Sequence, residues 1–241
     1  MIKFFRKIRQ KLLQENRVSK YLLYAFGEIV LVVIGILIAL QINNWNEKRK
    51  NKDFEKEILE QIQSNLIKDK KTLENIAFNF EKAVISSNKL LEGNWNSSQN
   101  DSLKFWLADI IQFDRFQPLT NAYEVAKSKG LDLVSNKELR FLLGTYYDDE
   151  AQHAVKSISD LELSFNKDWS PIMQKEVTDF KYKEYVVVKD FEIFSKNNSA
   201  HRILIMNRDN YGSGLNRIEQ VIHTIIKIQE LIHEELNAYK S

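Results

Sequence analysis

Two sets of residues in this 241-residue chain carry the types and spacing that chemistry needs. The first is Glu28, a carboxylate inside the apolar run 21–42, YLLYAFGEIVLVVIGILIALQI. A carboxylate in such a run is costly in lipid and normally faces protein or water. On a helix it shares a stripe with Tyr24, Gly35 and Ala39, and Gly35 with Ala39 gives the small-xxx-small spacing that lets two helices approach closely. The pattern points to association between helices, with Glu28 protonated or hydrogen-bonded across the contact. A place near the lipid headgroups and a proton or ion path are the alternatives.

The second set is a pair of Glu-x-x-His motifs, Glu150/His153 and Glu230/His233, the latter continuing a stripe from Glu219 and His223. Helical bundles that bind two metal ions use such motifs from two helices, plus a Glu from each of two others. No partner glutamates are evident, so solvated or hydrogen-bonded side chains are expected, with His153 donating inside the core. No metal or other cofactor is expected. With no Cys in the chain, disulfides, thiolate metal sites and cysteine nucleophiles are excluded. There is no phosphate-binding glycine loop, nucleophile elbow or HExxH. Asp148-Asp149-Glu150 reads as a charged turn of helix, and Trp95, Trp106 and Trp169 suit a core or a ligand pocket equally. No catalytic residue is assigned, and the chain is not expected to be an enzyme.

The elements that must position these residues are helices, since 7 Gly and 2 Pro are too few for a turn-rich β fold. Run 21–42 would rise roughly 33 Å as an α-helix, enough to cross a hydrocarbon core of about 30 Å. It has no polar side chain on any face from Ile29 to Leu40, unlike the single apolar stripe of a soluble core helix. It ends in Gln41-Ile42-Asn43-Asn44-Trp45 rather than in a small-residue cleavage site, so it reads as an uncleaved signal-anchor. Lys20 and Tyr21 mark one interface and Trp45 the other.

Residues 2–14, IKFFRKIRQKLLQ, form a basic amphipathic pattern, and Lys3, Arg6, Lys7, Arg9 and Lys11 are expected on the membrane surface. Residues 1–20 hold seven Lys/Arg against Glu15 alone, although the net charge of the chain is only +2. That concentration suits anionic headgroups, and a nucleic-acid partner is not expected. Five Lys/Arg, interleaved with acids, follow the anchor at 48–56, so the balance favours a cytoplasmic N-terminus.

After the anchor, 46–92 lacks Gly and Pro and repeats apolar residues at Phe54, Ile58, Ile62, Leu66, Leu73, Ile76, Phe80, Val84 and Leu91. This is one long amphipathic helix continuing the anchor, with a loop from Gly93 to Asn100. Shorter helices follow: LKFWLADII capped by Asp101 or Ser102, a stretch from Pro118 to Gly130, a helix opened by the capping box Ser135/Glu138, and another at Ser170-Pro171. Residues 182–197 read as extended or irregular, because Tyr185-Val186-Val187-Val188 has no alternating partner run. The last helix covers about 199–239. Its apolar positions hold one register across Gly212 and Gly214, so it is expected to be continuous, or kinked there, and antiparallel to 46–92.

The opening MIKFFRKIRQKLL, followed by KYLLYAFGEIVLVVIGILIALQINNWNE, resembles that of an uncharacterised family of single-pass membrane proteins found in Bacteroidota. A weaker likeness runs through AYEVAKSKGLDLVSNKELRFLLGTYY to the C-terminal helix. The resemblance implies the same topology and a bacterial inner-membrane location, and it supplies no catalytic residues.

The expected architecture is therefore all-α: a basic cytoplasmic segment 1–19, a transmembrane helix 20–45, and a periplasmic helical bundle 46–241. The expected role is non-enzymatic, a scaffold or sensor subunit binding an unknown periplasmic protein or ligand, as a homo-oligomer or a subunit of a membrane complex. An oligomeric channel or transport accessory using Glu28 is the runner-up, and a metal-dependent bundle enzyme the third reading.

Overall fold

The computed structural model describes residues 18–93 and 100–239, and the polypeptide divides between Phe54 and Glu55 into two compact units. The expected membrane-surface residues Lys3, Arg6, Lys7, Arg9 and Lys11, and Trp95, lie outside the described residues.

Helix α1, Val18–Glu92, is a single element through both units. In the first unit its apolar side chains stay exposed, Leu23 by 77%. This part of α1 is long and apolar enough to cross a membrane: an 18-residue window reaches a mean hydropathy of 2.5 with none of it buried. Near its end, the guanidinium of Arg49 lies 5.6 Å from the centre of the Trp45 ring.

In the second unit α1 becomes amphipathic. Ile58, Ile62, Leu66, Leu73, Ile76 and Phe80 are buried as their spacing predicts. Toward the end the buried positions are Ala83 and Leu90, with Val84 and Leu91 only half-buried, because a 3.6-residue turn drifts against a run of threes and sevens. Gly93, at φ 69°, follows the helix. It is in the left-handed region that Gly adopts without a Cβ penalty, a usual stop for a helix.

The bundle is completed by α2 (Asn100–Ile110), α3 (Asn121–Lys129), α4 (Lys137–Gly144), α5 (Ala151–Ser164), α6 (Ser170–Glu176) and α7 (Ser199–Ala238). Helix α7 runs antiparallel to α1: Arg208 reaches Asn88, Tyr211 and Gly214 meet Phe80, and Tyr239 reaches Glu55. Its 40 residues are unbroken, and Gly214 has a packing reason. A Cβ there would lie 2.8 Å from Phe80 Cε2, so glycine allows the helices to close on that ring.

Several local expectations are corrected. The cap of α4 is Asn136, whose side chain accepts the Leu139 N–H, while Ser135 is occupied elsewhere. Helix α2 starts at Asn100, so Asp101 falls inside its first turn rather than capping it. Between α4 and α6 the chain does not restart at Ser170. It stays helical through two wider π turns, Thr145–Glu150 and Phe165–Trp169, and Trp169 and Ser170 both keep helical dihedrals. Finally, β1 (Val177–Lys181) pairs antiparallel with β2 (Tyr185–Val188) through a bulge at Thr178 and a turn in which Lys183 takes φ 62°. The bulge and the exposure of most of β1 remove the alternation that would have marked it as a strand. Val186 and Val188 enter a core with Leu90, Leu107, Trp169 and Phe194.

Candidate functional site

Polar residues on the core face of α1 organise the domain. Asp69 sits between Leu66 and Leu73 on that face and is 2% exposed. Its carboxylate accepts the Leu119 N–H at 3.2 and 3.1 Å and the Tyr146 O–H at 2.7 Å. Asn65, one turn earlier, donates to the Leu119 carbonyl at 3.2 Å, so α1 grips both backbone groups of one loop residue. Burial pushes the Asp69 pKa up, against the hydrogen bonds from Tyr146 and Leu119, which pull it down.

The first π turn builds the other side of this network. It carries Tyr146 and Tyr147, both buried, and Asp148, which is exposed. Tyr147 stacks on Tyr123 at 4.5 Å, and Tyr123 donates to Asp148 at 2.7 Å. Lys127 pairs with Asp148 at 2.8 Å. Hydrogen bonds from Lys127 and Tyr123 hold the Asp148 pKa below its usual value.

A second knot closes the other end of the domain. Glu55 is 4% exposed and accepts from Ser135 N at 2.6 Å, Ser135 Oγ at 2.8 Å and Tyr239 O–H at 2.6 Å. Both carboxylate oxygens are used, joining α1, the loop before α4 and the end of α7. Sequence reasoning missed Glu55 and Asp69. The available signal was an acid in phase with the apolar stripe, three residues from Ile58 and Leu66 respectively.

The Glu-x-x-His motifs are arranged differently from expectation. His153 is outside the core, with its side chain 60% exposed, and pairs with Asp149 at 3.1 Å. It sits in the helix after the π turn, which shifts the phase of the apolar face past it. Glu150 lines an open cleft of about 610 Å³ with Glu219 and His223, and its Oε2 is buried without a hydrogen-bond partner. Glu230 is exposed, and His233 lies 3.0 Å from Asn237. The two motifs are not brought together: no group of three or more His, Cys, Asp or Glu able to hold a metal occurs among the described residues.

Two further clefts flank α7. One, of about 440 Å³, lies at its first turn, where Lys175 pairs with Glu176 at 3.2 Å and Asn198 donates to the Glu192 carbonyl at 2.8 Å. The other, of about 320 Å³, lies between α7 and the second π turn. Trp169 is fully buried in the neighbouring core, and Trp106 is half-buried with the Lys89 ammonium 5.2 Å from its ring centre.

In the apolar part of α1, Glu28 is half-buried and Gly35 stands open, with nothing within 4 Å of where a Cβ would be. Ala39 is exposed. Among the described residues, nothing covers Gly35 or Ala39.

Comparison with known proteins finds no matching curated protein and no matching solved structure. Residues 28–148, half of the chain, which include both knot carboxylates Glu55 and Asp69 but not Tyr239, match a family of unknown function, DUF6090, and the chain belongs to that family.

Proposed function

We propose that the chain is a single-pass protein of a bacterial inner membrane whose helical domain, residues 46–241, faces the periplasm as a non-enzymatic scaffold or sensor subunit. The observation that carries this reading is the apolar stretch of α1, none of whose most apolar window is buried, which leads without a break into an amphipathic helix. Exposed Ile29, Leu31, Leu37 and Leu40 would be a large patch in water, whereas lipid covers them without cost. The N-terminal excess of Lys/Arg supports a cytoplasmic N-terminus, and the Bacteroidota-like opening sequence supports the inner membrane.

The domain's most buried acids support scaffolding. Asp69 and Glu55 spend their acceptors on Leu119, Tyr146, Ser135 and Tyr239, so they hold elements together. The Glu28, Gly35 and Ala39 stripe supports a homo-oligomer or a membrane complex, because pairing removes the carboxylate from lipid. A pore lined by Glu28 is the competing use of the same residue. Extraction of membranes with alkaline carbonate tests the anchor. The full chain should stay in the pellet, as an integral protein does, and release into the supernatant would overturn the reading.

A further inference from the structure

The cleft between the second π turn and α7 combines a polar floor with an apolar rim. Asn207 and Ser164 are buried at its base, Asn207 to 3% exposure. Leu163 and Met206 stand at its mouth, 61% and 65% exposed. Its volume, about 320 Å³, falls at the lower end of the range for small-molecule sites.

The floor has more acceptors than donors. Ser164 Oγ lies 2.8 Å from Asp168 Oδ2 and 2.8 Å from Asn207 Oδ1. A hydroxyl has one proton, which serves one of the two. Turning the Asn207 amide would let its nitrogen donate to Ser164, but Asp168 would still receive a single hydrogen bond for about four lone-pair sites. Among the described residues Asp168 has no cationic partner. Lys167, its neighbour on the same rim, makes no ion pair with it, and Asp160 is neutralised by Lys156 at 2.8 Å.

The π turn contributes to this arrangement. Asp168 lies in the second π turn and Ser164 immediately before it, and their i, i+4 spacing puts both on one helical face. Single π turns inside α-helices are frequently found at functional sites.

We infer that this cleft binds an organic ammonium with a short apolar body. The ammonium supplies three donors and a positive charge to the Asp168 carboxylate and its neighbouring acceptors. The apolar body lies against Leu163 and Met206. The inference rests on the ligand-binding reading of the domain and gives it a place and a chemistry.

The test uses the full chain in lipid nanodiscs and three probes of equal length: n-pentylammonium, pentanoate and 1-pentanol, followed by ligand-observed NMR. Pentylammonium should bind saturably at one site per chain, and pentanoate should not. Asp168→Asn, which keeps an acceptor for Ser164, should weaken binding by about ten-fold or more, the worth of one hydrogen bond to a charged group. Asp160→Asn should leave it within about two-fold, as expected for an exposed, already paired acid. Circular dichroism of each variant checks that it is folded. Equal binding of 1-pentanol, an unchanged affinity in folded Asp168→Asn, or no saturable binding would each overturn the assignment. Such a failure would leave carbonate-resistant anchoring intact, so it is distinguishable from a failure of the membrane reading.

Discussion

At the scale of single residues, the two glycines of α7 make opposite predictions. Gly214→Ala pushes a methyl against the buried Phe80 ring, which is itself packed edge-on to Tyr211 at 5.0 Å, and should destabilise the domain by about 1–3 kcal/mol. Gly212→Ala meets nothing within 4 Å and should stabilise it by about 0.5–1 kcal/mol, the helix propensity of Ala over Gly. Chemical denaturation of the two variants reads both. Asp69→Ala leaves the Tyr146 hydroxyl and the Leu119 N–H unpaired and should cost about 2–4 kcal/mol.

The two acids beside the first π turn titrate in opposite senses. Asp69 has a raised pKa when folded, so its contribution is fully present below the unfolded value of about 3.9 and is lost as pH rises through the folded value. Asp148 has a lowered pKa, so its contribution is present above about 3.9 and is lost as pH falls through the folded value. Thermal melts across acid pH should show that Asp69→Asn removes a loss of stability on the alkaline side of that window. Asp148→Asn should remove a loss on its acid side. Matching pH profiles in both variants would contradict the assignment. In the apolar stretch of α1, cysteine pairs at position 35 should crosslink more than pairs at Leu37. Gly35→Leu, with the probe elsewhere, should reduce the product. Because no atom of the described residues lies within 4 Å of a Cβ there, such a loss reports a second helix rather than a clash within the first.

At the scale of elements, periodicity made the long helices legible. Positions such as Ile58, Leu66, Phe80, Leu204 and Ile218 are buried where a 3.6-residue repeat places them. The hairpin was not legible, because β1 is exposed along most of its length and interrupted by a bulge, so no alternation survives in Val177-Thr178-Asp179-Phe180-Lys181. The π turns were hidden for a related reason: one extra residue in a turn changes the phase without changing composition. Leu143 before the first π turn and Ala154 and Ile158 after it each fit a helix, while His153 appeared to lie on the apolar face. Asp69 was overlooked because an acid at one core position leaves the apolar count of its helix almost unchanged. The hairpin carries its own prediction. Val186→Thr buries a hydroxyl in the core with Trp169 and Phe194, and should destabilise the domain by about 1–3 kcal/mol. Val187→Thr, at a half-buried position of the same strand, should cost less. Equal effects in denaturation curves would argue against the observed register.

At the scale of the whole molecule, the chain joins an apolar helix to a helical domain held by buried carboxylate knots and a hydrophobic core. The long apolar run marked the exposed apolar part of α1 in the sequence, while the two compact units meet at Phe54 and Glu55, inside a helix whose composition changes only gradually. The cleft proposed to bind a ligand was not legible, since it is lined by residues far apart in sequence, such as Asp168 and Asn207. The central claim is that residues 46–241 stand on the far side of the membrane from the basic N-terminus. Fusion of alkaline phosphatase, and separately of a fluorescent protein that matures only in the cytoplasm, after Ser241 tests it most directly. The account predicts an active phosphatase and a dark fluorescent fusion, with the bias weakened by charge reversal of Arg6, Lys7, Arg9 and Lys11. A bright fluorescent fusion with inactive phosphatase would contradict it.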